Sequence, residues 1–160
     1  GMSQTLTGGC QCGRVRYTAV ADPVEAYLCH CKMCQKATGG VAAAFVSVRQ
    51  EDCAWEGEPD WYDSSPIAQR SFCSRCGTPL GFRFREGSGK MDLTIGSFDD
   101  PSVFRPKLHF GAESLHEAWI DTSALKLIAQ QVGGPALDCA GGHWRTRELL
   151  DLGDLQVNLA

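Results

Sequence analysis

The chain lacks several features that would have placed it at once. No apolar run approaches the roughly 18 residues that a membrane-spanning helix requires. No basic segment followed by an apolar stretch opens the sequence, so no export signal is legible, and Gly1 ahead of Met2 reads as the remnant of an expression tag. There is no excess of positive charge: 15 Lys and Arg against 19 Asp and Glu leave a formal charge of −4. Nucleic-acid binders concentrate positive charge, so that class is set aside. Internal repeats and low-complexity tracts are also missing. What remains is a chain of 160 residues, 43% hydrophobic and 21% charged, long enough to bury a real core.

Cysteine is the abundant exception, with nine in the chain. An odd count without an export signal argues against a disulfide framework and for a reducing, cytoplasmic setting. There, clustered thiols act as metal ligands or catalytic groups. Seven of the nine fall into three packages: C-x-C at Cys10 and Cys12, C-x-C-x-x-C at Cys29, Cys31 and Cys34, and C-x-x-C at Cys73 and Cys76. A tetrahedral zinc bound by sulfur at about 2.3 Å brings its sulfurs to about 3.8 Å from one another. Residues i and i+2 of a flat strand are about 6–7 Å apart, so a C-x-C pair must bend to share an ion. Gly8, Gly9 and Gly13 give the first pair that freedom, and Gly77 lets the Cys73–Cys76 knuckle tighten.

The most economical partition puts Cys10, Cys12, Cys73 and Cys76 on one closed, structural zinc and Cys29, Cys31 and Cys34 on a second. Three protein ligands are what a zinc with a place for water or substrate carries. The alternative is a closed second site completed by Cys53, Cys139 or a distant histidine. His30, between two of the cysteines, points away from the metal if the segment is extended. An open site with three thiolates is a poor activator of water but a good host for a fourth sulfur, which implies a thiol substrate rather than ester or peptide hydrolysis. No residue stands out as the acid that would protonate an adduct's oxygen.

The rest of the chain reads as mainly β. Val15, Tyr17 and Ala19 alternate with Arg14, Arg16 and Thr18 as a half-buried strand, and AAAFVSV at 42–48 reads as a buried one. Cys53 to Trp61 reads as a strand and its turn, with another strand near Arg70 to Phe72. Leu80, Phe82 and Phe84 form the apolar face of a further strand, and Met91, Leu93 and Ile95 that of the next. The residues after Cys31 suggest a short helical turn stopped by Gly39 and Gly40. The pairs HF at 109–110 and AWI at 118–120 suggest closing strands, and SALKLIAQQV at 123–132 and RELLDLGDL at 147–155 short helices. Arg14, Arg16, Arg70, Arg75, Arg83 and Arg85 are a basic rim or, preferably, the solvated faces of strands. His109 is a ligand-bonding or a structural histidine, and Trp119 a possible pocket wall.

At the cysteine packages the sequence resembles the glutathione-dependent formaldehyde-activating enzyme (GFA) family. GGCQCGRVRY at 8–17, CHCKMCQKATGG at 29–40, FCSRCGTPLGF at 72–82 and FRPKLHFGAESLHEAW at 104–119 carry the resemblance. It implies a mainly β, Mss4-like fold of zinc-braced antiparallel sheets with a few short helices. It also implies two zinc ions, with Cys10, Cys12, Cys73 and Cys76 on the structural one and Cys29, Cys31 and Cys34 on the catalytic one. The implied reaction is the reversible joining of glutathione and formaldehyde to S-hydroxymethylglutathione, a carbon–sulfur lyase reaction in reverse. The family-like domain covers 3–122, and 123–160 forms an extension that packs on it or is partly mobile. The rival reading is a zinc-stabilised module that binds a protein and catalyses nothing. An iron centre of the rubredoxin type needs four cysteines per ion and would colour the protein.

Overall fold

A computed structural model describes residues 1–128 and the backbone of two paired strands, Leu137–Asp138 and His143–Trp144. Two sheets face each other across one core. The smaller has three strands in the order β1-β2-β5: Gln4–Gly9 (β1), Arg16–Ala21 (β2) and Cys53–Glu56 (β5). The larger has seven. Its central members are Ala26–Cys29 (β3), Ala43–Arg49 (β4), Lys90–Thr94 (β9), Pro79–Phe84 (β8) and Ala68–Phe72 (β7). Asp60–Ser65 (β6) closes one edge and Pro106–Phe110 (β10) the other. The mainly β class holds. One departure from an all-antiparallel arrangement is β10, which runs parallel to β3.

Strand alternation sets the core. Tyr17 and Ala19 of β2 meet Val46 and Val48 of β4, Leu80 of β8, and Met91 and Leu93 of β9, all buried. Tyr17 stacks edge-to-face on Trp55, its cross-strand partner in the small sheet, and on Phe98 of the segment that follows β9. The opposite face of β4 carries Ala43 and Phe45, which belong to a second, smaller buried cluster with Cys29 and Cys34. The large sheet is therefore covered on both faces, one by the core and one by the functional site.

The alternation expected of Leu80, Phe82 and Phe84 fails at a bulge. Ser71 pairs with Gly81 but Phe72 pairs with Pro79, leaving Leu80 as the extra residue. Leu80 turns into the main core, while Phe82, directly opposite Asp92, falls on the other face beside the smaller cluster. A one-residue insertion exchanges faces because the side-chain period is two.

The segment after β3 forms the helix Lys32–Thr38 (α1), ended by Gly39 at φ 74°, as its glycines suggest. Residues 109–110 lie in β10, but 118–120 do not form a strand. Glu117–Trp119 is a single 3-10 turn, and Trp119 is exposed and lines none of the described cavities. Residues 123–128 are not helical either. Leu125, Leu127 and Ile128 are all exposed, so no buried stripe supports a helix there. The rest of that segment, Cys139 and residues 147–155 lie outside the described residues. Among the described residues, no helix is long and apolar enough to cross a membrane.

Candidate metal centres and the adjoining cavity

Two cysteine groups emerge, and they are the two expected from spacing: Cys10, Cys12, Cys73 and Cys76, and Cys29, Cys31 and Cys34, each with sulfurs within 4.8 Å of one another. The first joins the turn after β1 to the turn between β7 and β8, and so ties the small sheet to the large one. Gly13 and Gly77 adopt φ of 79° and 82°, which lets both turns close on the sulfurs. The Cys10–Cys12 and Cys12–Cys73 sulfurs are 3.6 and 3.7 Å apart. That is too long for a disulfide, near 2.05 Å, and is the edge of a thiolate tetrahedron around a metal. Further donors reach these sulfurs: the Val15 N–H to Cys10 at 3.2 Å and Arg14 Nε to Cys73 at 3.4 Å. Arg14 is itself held by an ion pair with Asp60.

The thiols of this group pull in opposite directions. Burial pushes Cys12 up to about 12. Burial acts the same way on Cys76, but hydrogen bonds led by Thr78 outweigh it and bring that thiol to about 6. A cation among the sulfurs removes this conflict by favouring every thiolate at once.

The second group is assembled over six residues. Cys29 ends β3, Cys31 caps α1 by accepting the Cys34 N–H at 3.3 Å, and Cys34 lies in the first turn of that helix. Strand β10 buttresses it. Phe110 pairs with Cys29, and its carbonyl accepts the His30 N–H at 2.8 Å. Gly111, at φ 67°, lies so close that a Cβ there would sit 2.9 Å from the Cys31 nitrogen. Among the described residues this group has three members. Cys53 is in β5 of the small sheet and joins neither group, burial pushing its thiol up to about 11.

His30 is buried but does not join the sulfurs. Its Nε2 is 2.8 Å from His109 Nδ1, so His109 holds the cysteine loop through His30. Burial, with His109 and His116 close by, pushes the His30 imidazole down.

The arginines correct the expectation of solvated faces at one position. Arg70 is buried, donates from Nη2 to Cys34 Sγ at 3.3 Å and stacks over Phe82 at 4.9 Å. Arg16 pairs with Asp99, Arg85 with Asp63, and Arg83 stacks on Trp61. Among the described residues lining the space beside the three sulfurs, Arg70 is the one arginine.

A cavity of about 370 Å³ opens beside Cys29, Cys31 and Cys34. Its floor is the outer face of the large sheet, where Arg70, Phe82 and Asp92 stand side by side on β7, β8 and β9. Burial pushes the Asp92 carboxyl up, opposed by hydrogen bonds from the Tyr27 and Ser47 hydroxyls. Asp92 and Tyr27 were not legible as site residues, and Arg70 was legible only as one of six arginines near the cysteine packages. Their signal was only that of polar positions on half-buried strands, and the bulge and the cysteine loop turn that face inward.

The comparisons agree with this geometry. The sequence pattern of the family described as glutathione-dependent formaldehyde-activating enzyme matches residues 5–114. The chain belongs to the GFA family. A relative from Schizosaccharomyces pombe, named an uncharacterized lyase, is 29% identical over 80 residues, 50% of this chain and 58% of that protein. The chain thus spans less than two thirds of that relative's length. A crystal structure of a Rhodobacter sphaeroides protein shares the fold at TM-score 0.54 and 18% identity, over 66% of this chain and 99% of that one. Both cysteine groups have the donor set to hold a metal ion.

Proposed function

We propose that this GFA-family protein is a zinc-dependent carbon–sulfur lyase-type enzyme that adds a thiol reversibly to a small carbonyl compound, working in a reducing cytoplasm. The observation that carries the reading is the three-sulfur group set into the wall of an apolar cavity. Cys10, Cys12, Cys73 and Cys76 would hold a structural zinc, and Cys29, Cys31 and Cys34 a second, catalytic one. Zinc held by three thiolates supplies a soft Lewis acid that keeps a further thiol deprotonated at neutral pH.

The chain's own groups then do the rest. Arg70 donates to Cys34 Sγ and offsets part of the negative charge gathered by three thiolates. The His30–His109 contact and the Gly111 turn fix the loop, and apolar walls hold the reactants together and exclude water. Asp92, between the Tyr27 and Ser47 hydroxyls, is the carboxylate of the wall. It accepts the proton that the thiol loses and returns it to the carbonyl oxygen as the sulfur–carbon bond forms and the C=O π bond opens. Thiol and carbonyl thus combine into a hemithioacetal with every atom conserved.

Two measurements check this reading. In the full chain loaded with cobalt(II), a thiol that enters the coordination sphere of the three-cysteine centre is expected to raise the sulfur-to-cobalt charge-transfer absorbance. No change at millimolar thiol, whichever thiol is offered, removes the enzymatic reading in favour of a metal-braced binding module. Asp92→Asn is expected to lower turnover about a hundredfold, the lower end of what a positioned acid–base group contributes, while the cobalt titration is unchanged. Full turnover in that variant would take the proton away from Asp92.

A further inference from the structure

The lining of the three-cysteine cavity limits which thiol fits it. Met33, Ile67, Phe84 and Phe110 all line it, yet they are 51, 64, 54 and 61% exposed. Four large apolar side chains left in water around one opening are unusual on a small soluble protein, and such patches mark binding sites. Deeper in, Tyr27, Phe45 and Phe82 continue the apolar wall.

Charge on the wall is sparse. Among the described lining residues, Arg70 is the one cation and Asp92 the one carboxylate. Arg70 is 6% exposed, directed at Cys34 Sγ and stacked on Phe82, so it is placed to balance thiolates rather than to reach an incoming carboxylate. The other arginines near the cysteine packages in sequence do not line this cavity. Glutathione carries two carboxylates and an ammonium at the ends of its two arms, several bonds from its sulfur, so with the sulfur at the three cysteines those charges reach the mouth of the cavity. There they would lie against the apolar side chains of Met33, Ile67, Phe84 and Phe110, with the Ser64 and Ser65 hydroxyls as the uncharged polar groups and, among the described lining residues, no exposed cation to pair with the carboxylates.

The geometry points to a thiol with an apolar body, arylalkyl or branched alkyl, as the substrate of the three-cysteine centre in place of glutathione. The inference rests on reading that centre as a thiol site. The sulfur sits at Cys29, Cys31 and Cys34, and the apolar body lies along Phe82 and out between Ile67 and Phe84. A cavity of about 370 Å³ falls within the range of small-molecule sites and leaves room for a small aldehyde beside such a body. The reaction keeps its balance: one sulfur–carbon bond forms, the carbonyl π bond opens, and the thiol's proton ends on the new hydroxyl.

Benzyl mercaptan, 2-mercaptoethanol and glutathione, each titrated into the full chain loaded with cobalt(II), separate the possibilities. Benzyl mercaptan is expected to half-saturate the charge-transfer band at a concentration about tenfold lower than either of the others, from partial burial of its ring. Phe84→Ser is expected to erode that advantage and leave 2-mercaptoethanol unaffected. Glutathione binding as tightly as benzyl mercaptan, or tighter, overturns the apolar-thiol inference and leaves the thiol site standing. Silence with all three thiols overturns both.

Discussion

Cys76→Ser is expected to leave the protein without a cooperative thermal transition and with the four-cysteine centre empty of metal. Cys76 is one of four sulfurs that connect the turn after β1 to the turn between β7 and β8. Together with the packing of Tyr17 and Ala19 in the main core, this group holds the small sheet to the large one. Cys73, at 0% exposure, sits inside the main core, so an unbalanced charge there has no access to water. A serine hydroxyl does not ionise near neutral pH and is a poor ligand for a soft metal ion. Structural zinc contributes on the order of 10–16 kcal/mol in zinc-finger peptides. A whole domain is stable by only about 5–15 kcal/mol. Losing one ligand in four therefore removes much of the stability the chain has. Circular dichroism on heating, read with zinc per chain by atomic absorption, checks this. A variant that melts at the parental temperature with full zinc would show that the four sulfurs do not brace the fold.

Local chemistry explains which parts of this site could be read from the sequence. The cysteine packages were legible because ligand spacing is a local property: two to four residues and a glycine decide whether sulfurs can converge. The strand of Tyr17 and Ala19 and the helix stopped by Gly39 were legible for the same reason. The floor of the cavity was not. Whether Phe82 faces the core or the site depends on a single residue, Leu80, inserted against the Ser71–Phe72 register, and alternation carries no mark of it. Arg70 and Asp92 sit at positions that alternation gives to solvent. Arg70 is buried and Asp92 half-buried because the Cys29–Cys34 loop covers that face of the sheet, a contact between segments distant in sequence. The placement of His109 beside His30, 79 positions apart in sequence, depends likewise on β10 running parallel to β3.

Cys31→Ser, by contrast, is expected to abolish thiol-adduct turnover while the protein keeps its fold and the metal of the four-cysteine centre. The difference follows from where the two groups sit. Cys29, Cys31 and Cys34 span six residues joined by a β3–α1 connection that β10 and the His30–His109 contact already hold. The main core, from Tyr17 to Leu93, lies on the other side of the sheet. Cys31 is half-buried and caps α1; serine is itself a favoured cap, so the helix start survives the change. Burial works to raise the Cys31 thiol, but hydrogen bonds led by the Cys34 N–H outweigh it and the net direction is down. Removing it leaves two sulfurs, and metal affinity at this centre is expected to fall by more than about a hundredfold, the upper range for losing a mere supporting contact to a ligand. Zinc per chain should drop from two to one, with the melting transition retained and hemithioacetal formation lost. If Cys31→Ser unfolds the chain as completely as Cys76→Ser, both centres are scaffolding, and the catalytic assignment of Cys29, Cys31 and Cys34 fails.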